Sequence, residues 1–85
     1  MLFMITFQWE PGKTDEVMQM RKKETPHPGR KVLKEWIALE SNLVYRLVEL
    51  TDPAALLKAT QGWSDIGYIE MHPVMESEEA FKLLK

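Results

Sequence analysis

Hydrophobic and polar residues alternate along most of this chain, and proline, glycine or a capping residue stands where the alternation stops. In residues 1–9, Phe3, Ile5, Phe7 and Trp9 fall on one parity and Leu2, Met4, Thr6 and Gln8 on the other, which predicts a strand with two different faces. Residues 32–39 and 43–50 are two further runs rich in Val, Ile, Leu, Trp and Tyr. The polar Glu40, Ser41 and Asn42 between them are short enough to close an antiparallel hairpin. Lys34 and Glu35 in one run, and Arg46 and Glu49 in the other, rule out the all-apolar centre of a parallel sheet.

The period changes between these strands. After Pro11 and Gly12, Thr14 is placed to cap a helix with Asp15 and Glu16 in its first turn and Arg21, Lys22 and Lys23 in its last, the charge order that a helix dipole favours. Val17 and Met20 form its expected buried stripe, with Met18 beside it, and the loop of Thr25, Pro26, His27, Pro28 and Gly29 stops it near Glu24. Asp52 and Pro53 are an N-cap and first-turn proline for a second helix, in which Leu56, Ala59 or Thr60, and Trp63 share a face and Gly62 supplies the stop. Residues 66–74 predict a fourth strand, with Tyr68, Glu70, His72 and Val74 opposed to Ile69 and Met71, and Pro73 marks it as an edge. Ser77 is the expected cap of a short helix over 78–84, with Ala80, Phe81 and Leu84 on its apolar side.

This order predicts a single α+β domain over 1–85, a ferredoxin-like βαββαβ sandwich with a short C-terminal helix. Right-handed crossovers place the first and third strands at the centre and both long helices on one side. The other side of the sheet then exposes Leu2, Met4, Tyr45, Leu47, Tyr68 and Val74 among Thr6, Gln8, Glu49, Glu70 and His72. That is more apolar surface than a soluble monomer leaves in water, so a second copy of the chain is the expected cover. The side on which Trp36 falls depends on the parity of the hairpin turn, because a slip of one residue reverses every side chain.

Composition narrows the partners. With 85 residues and no cysteine, the chain is close to the size at which one core barely suffices and has no disulfide to add. Residues 1–7 lack the basic start and the cleavage site of a secretory leader, and no run is long enough to cross a bilayer, so a cytoplasmic protein is expected. A formal charge of −2 offers no general attraction to nucleic acid or anionic lipid. The RNA-recognition module shares this element order, but it needs stacking aromatics and a glycine on the third strand, where Tyr45 is the only aromatic and no glycine occurs.

The opening run from Met1 to Phe7 followed by Pro11, Gly12 and Lys13, the stretch Leu47, Val48, Glu49 leading into Asp52, Pro53, Ala54, Ala55 and Leu56, the Trp63, Ser64, Asp65 turn and the closing Pro73 and Val74 together resemble the dimeric α+β barrel superfamily. Within it, the chain is similar to a small prokaryotic family of unknown function with a Trp like Trp36 on its second strand. The resemblance implies two sheets packed face to face in a homodimer, with a pocket in the shared barrel or between each sheet and its helices. Members include cofactor-independent monooxygenases, isomerases, dehydratases, haem-handling proteins and proteins with no known activity. Haem-degrading and quinone-oxidising members place an Asn near the substrate, where this chain has Thr6 and Gln8 on its first strand.

The strongest candidate for chemistry is Glu70 with His72. Residues two apart on a strand share a side, and a carboxylate beside an imidazole fixes its tautomer and raises its basicity. Glu49, also on a strand, is the third candidate catalytic group. The commoner role for such groups is a hydrogen-bonded polar cluster in an interface. Trp36, Tyr45 and Tyr68 are candidate ligand-binding walls, although aromatic residues more often serve a core or interface. His72, Glu70 and Glu49 are too thin a set for a metal, and no cofactor is indicated. Arg21, Lys22 and Lys23, like Arg30 and Lys31, read as solvated charge. Two readings follow: a small enzyme or ligand binder, and a non-catalytic homodimeric interaction module, separated by whether the interior holds a cavity of roughly 300 Å³ or more.

Overall fold

The computed structural model describes residues 1–84. Its elements are β1 (Leu2–Trp9), α1 (Thr14–Lys22), β2 (Arg30–Ile37), β3 (Leu43–Leu50), α2 (Pro53–Thr60), a 3₁₀ turn (Trp63–Asp65), β4 (Gly67–Pro73) and α3 (Ser77–Leu83). The strands form one antiparallel sheet in the order β2-β3-β1-β4. This is the ferredoxin-like arrangement, with β1 and β3 central and β4 an edge that ends at Pro73, where a ladder donor is missing.

Register fixes the faces. Ile5 lies opposite Arg46 and Met71, and Phe7 opposite Val44 and Ile69. These side chains look toward α1 and α2, since Ile5, Phe7, Val44 and Ile69 line one recess with Val17 of α1 and Leu56 and Ala59 of α2. The compact core consists of Trp9, Val17, Val48, Leu50, Ala55 and Ala59. Phe7 stacks beside Trp9 with ring centroids 5.9 Å apart and meets Trp63 edge-on at 5.1 Å, which ties the 3₁₀ turn to the sheet.

Two expected caps are absent. Lys13 occupies the N-cap position of α1 without a side-chain bond, because the Thr14 hydroxyl lies inside the helix and accepts from Trp9 Nε1 at 3.0 Å. A buried indole donor needs an acceptor, and here it takes the hydroxyl that the sequence offered to the helix. Ser77 is likewise the first helical residue of α3, and Glu76 precedes it without a side-chain cap. The expected cap of α2 is present, Asp52 Oδ1 accepting from the Ala54 amide at 3.0 Å with Pro53 in the first turn. Gly62 ends the segment in a left-handed conformation, φ 87°.

β2 starts and stops two residues earlier than its hydrophobic run. A bulge between Val32 and Lys34 leaves Leu33 as the extra residue. The bulge resolves the side of Trp36, which lies opposite Tyr45 on the helix-free face, while Glu35 lies opposite Arg46 on the helix face. Bulges leave no periodic mark in a sequence, so alternation alone could not decide this.

The turn into β2 depends on Gly29. Its φ is +88°, its carbonyl accepts from the Thr51 amide at 2.8 Å, and a Cβ there would lie 2.6 Å from Asp52 Cβ. Gly29→Ala is therefore expected to lower stability by about 1–3 kcal/mol through backbone strain and crowding of the α2 N-terminus. Urea unfolding should show a lower midpoint with an unchanged slope, and an unshifted midpoint would contradict the role given to this turn.

Candidate functional site

Two surfaces carry the chemistry. The first is the helix-free side of the sheet, where every residue singled out from the sequence is found. One row across the strands runs Trp36, Tyr45, Thr6, Glu70, and the next runs Lys34, Leu47, Met4, His72. His72 Nε2 lies 3.5 Å from Glu70 Oε2, with side chains 63% and 71% exposed, so the pair is loose and open to water. Lys34 Nζ sits 5.3 Å from the centre of the Trp36 ring, a cation–π contact that holds the indole at the β2 edge. Tyr68 lies opposite Gln8 near the far end of β4 and is exposed.

Glu49 does not join the pair. Its neighbour on β1 is Leu2, whereas that of His72 is Met4, so two strand spacings and a two-residue offset along the strands, together about 12 Å, separate them. Its Oε1 accepts instead from the Met1 amino group at 2.6 Å. Trp36, Tyr45 and Tyr68 share the face but do not converge: Trp36 and Tyr45 are neighbours, while Tyr68 stands on the opposite edge.

The second surface lies between the sheet and its helices and was not read from the sequence as a site. Arg46 projects from central β3 into the helix layer with only 12% of its side chain exposed. Its Nε donates to Glu35 Oε2 at 2.7 Å, and its Nη1 donates to the Glu24 carboxylate at 3.0 and 3.3 Å. Arg21, expected to be solvated, closes the ring by donating to Glu35 Oε1 at 3.2 Å and lying 3.7 Å from Glu24. Burial alone would raise the Glu35 pKa, but the hydrogen bonds and positive charges of Arg46 and then Arg21 outweigh it and hold the carboxyl below its ordinary value.

Beside this ring Arg30, the first residue of β2, has its Nε buried without a hydrogen-bond partner. Burial lowers its pKa, Glu24 opposes the shift, and the Arg46 and Arg21 charges add to it. The arginines and glutamates border a recess of about 100 Å³ floored by apolar side chains of the sheet. The volume is below what a typical small-molecule site of a few hundred Å³ provides. Two sequence signals pointed here, the Arg46 and Glu35 interruptions of otherwise apolar strands. Only the register showed that they meet.

A family model described as a domain of unknown function (DUF3303) matches residues 1–85. No curated protein and no solved structure matches the chain.

The ring gives stability a defined pH dependence. Because the folded-state pKa of Glu35 is depressed, the stability it adds is complete above its ordinary value of 4.5 and is lost as pH falls through the lower folded value. Glu35→Gln should melt below the parent protein at pH 6, and the gap should narrow as pH is taken toward 3. Melting temperatures across that range check this, and a constant gap would contradict it.

Proposed function

The chain belongs to a family of unknown function, DUF3303, and we propose from its exposed surfaces that it is a homodimeric interaction module whose helix-free sheet face packs against a second copy of itself. The observation that carries this is the unpartnered apolar surface of an otherwise small fold. Met4 and Leu47 adjoin the exposed Trp36 and Tyr45 on one side of a sheet with no helix over them. Phe81 and Leu83 of α3, 66% and 73% exposed, are further apolar surface that a lone chain leaves in water. The Cα radius of gyration of 14.3 Å also exceeds the roughly 12 Å of a compact 85-residue domain, as an element without a packing partner would cause.

The face is also self-complementary in charge. Lys31 and Lys34 lie at its β2 edge and Glu70 at its β4 edge. A two-fold axis along the strands sets each β2 edge over the β4 edge of the other copy, so opposite charges meet around an apolar centre. Such pairing is the face-to-face arrangement of the dimeric α+β barrel superfamily, which the chain resembles.

A second reading, binding or conversion of a small organic molecule in the dimer, is favoured by the shared side of Glu70, His72, Tyr45 and Trp36. Covering them with a second sheet would give the imidazole a water-poor neighbourhood, with Glu70 to orient it.

Light scattering tests the dimer. A mass twice that of the chain at micromolar concentration is expected, and a folded monomer would overturn the reading. Leu47→Lys places an unpaired charge at the centre of the face and should give aggregated or unfolded protein. A soluble, folded, dimeric variant would show that another surface mediates pairing.

A further inference from the structure

The recess beneath the helices is unlike an ordinary packing defect, because one end of it is cationic. Three guanidinium groups, Arg21, Arg30 and Arg46, border it with two carboxylates, Glu24 and Glu35. Both carboxylates are engaged by Arg46 and Arg21, leaving one positive charge uncompensated. That charge sits on Arg30, whose Nε is buried without an acceptor. Among the described residues no carboxylate lies within ion-pair distance of that guanidinium, so it is the group at the recess that lacks an anionic partner.

The surroundings specify the rest of the ligand. Ile5, Phe7 and Val44 form an apolar floor. Arg21, Glu24 and Arg30 border both this recess and a wider, open hollow of about 360 Å³ that continues past Thr25, Pro26 and Lys31. The inner recess of about 100 Å³ has room for roughly three water-sized groups and is smaller than the roughly 150 Å³ cavity that takes a benzene ring, so it fits a short aliphatic tail better than an aromatic one. Inorganic phosphate would meet the charge but leave the apolar floor unused.

We propose that this cleft binds a short-chain aliphatic carboxylate, its tail against Ile5, Phe7 and Val44 and its carboxylate accepting from the terminal guanidinium nitrogens of Arg30. The wide hollow is the entry, and Glu24, the carboxylate nearest to hand, is held by Arg46 and Arg21 and forms no salt bridge with Arg30. The site lies on the opposite side of the sheet from the face proposed to dimerise, so it stands or falls independently of that reading.

The test is a titration of the wild-type protein with butanoate, followed by NMR at the Arg30 side-chain Nε–H and at the Ile5 and Val44 methyl groups. Butanoate should shift all three saturably with one dissociation constant, 1-butanol should bind at least tenfold more weakly, and phosphate should leave the methyl groups unmoved. Arg30→Met, which keeps the aliphatic stem, should weaken butanoate at least tenfold while retaining the parent circular dichroism. Equal binding of 1-butanol and butanoate, phosphate competing at equal affinity, or no saturable shift would overturn the proposal. If Arg30→Met does not fold, the comparison of the three probes on the wild-type protein decides the matter alone.

Discussion

A largely buried arginine on a central strand is the constraint from which most of this structure follows. Arg46 faces the helix layer, where a guanidinium without partners would cost several kcal/mol to desolvate. Its two carboxylates come from different elements, Glu35 from β2 and Glu24 from just beyond α1. Glu35 reaches it only because the bulge at Leu33 shifts the parity of β2, and Glu24 only because α1 ends where it does. A slip in either element strands a charge, so the ring selects one register and one helix position in a fold whose compact core is six residues.

Much of the fold was legible before any coordinates. Strands β1 and β3, the Asp52 and Pro53 start of α2, the Gly62 stop and the central placement of β1 and β3 all followed from alternation, capping chemistry and crossover handedness. The failures were places where a side chain had two possible partners. Thr14 could cap α1 or accept from the Trp9 indole, and the tertiary bond prevailed. Arg21 could fray into water or join Glu35, and the carboxylate across the cleft prevailed. β2 defeated the pattern through its bulge, which also decided the side of Trp36.

The site was legible only in its positions. Alternation placed Glu70 and His72 on one side of β4, and the structure has them there, yet it cannot show how far apart strands two removed will lie, so Glu49 was grouped with a histidine it does not reach. Conversely, charge ordinarily avoids the helix-packed side of a sheet, and alternation gives no sign of a cluster there in which charges are held by several partners at once. Arg46, Glu35, Glu24 and Arg21 break that rule together, and their mutual satisfaction is what permits it. Arg30, beside them without an acceptor, is the remainder of that arithmetic and gives the cleft its charge.

The central claim is that Arg46 and Glu35 are energetically coupled and do not merely lie close. A double-mutant cycle with Arg46→Met and Glu35→Gln, read by urea unfolding at pH 7, measures this directly. A coupling energy of about 1 kcal/mol or more, each single change costing most of what the double change costs, is the predicted result. Additivity within about 0.3 kcal/mol would contradict it and leave the register of β2 to hydrophobic burial alone.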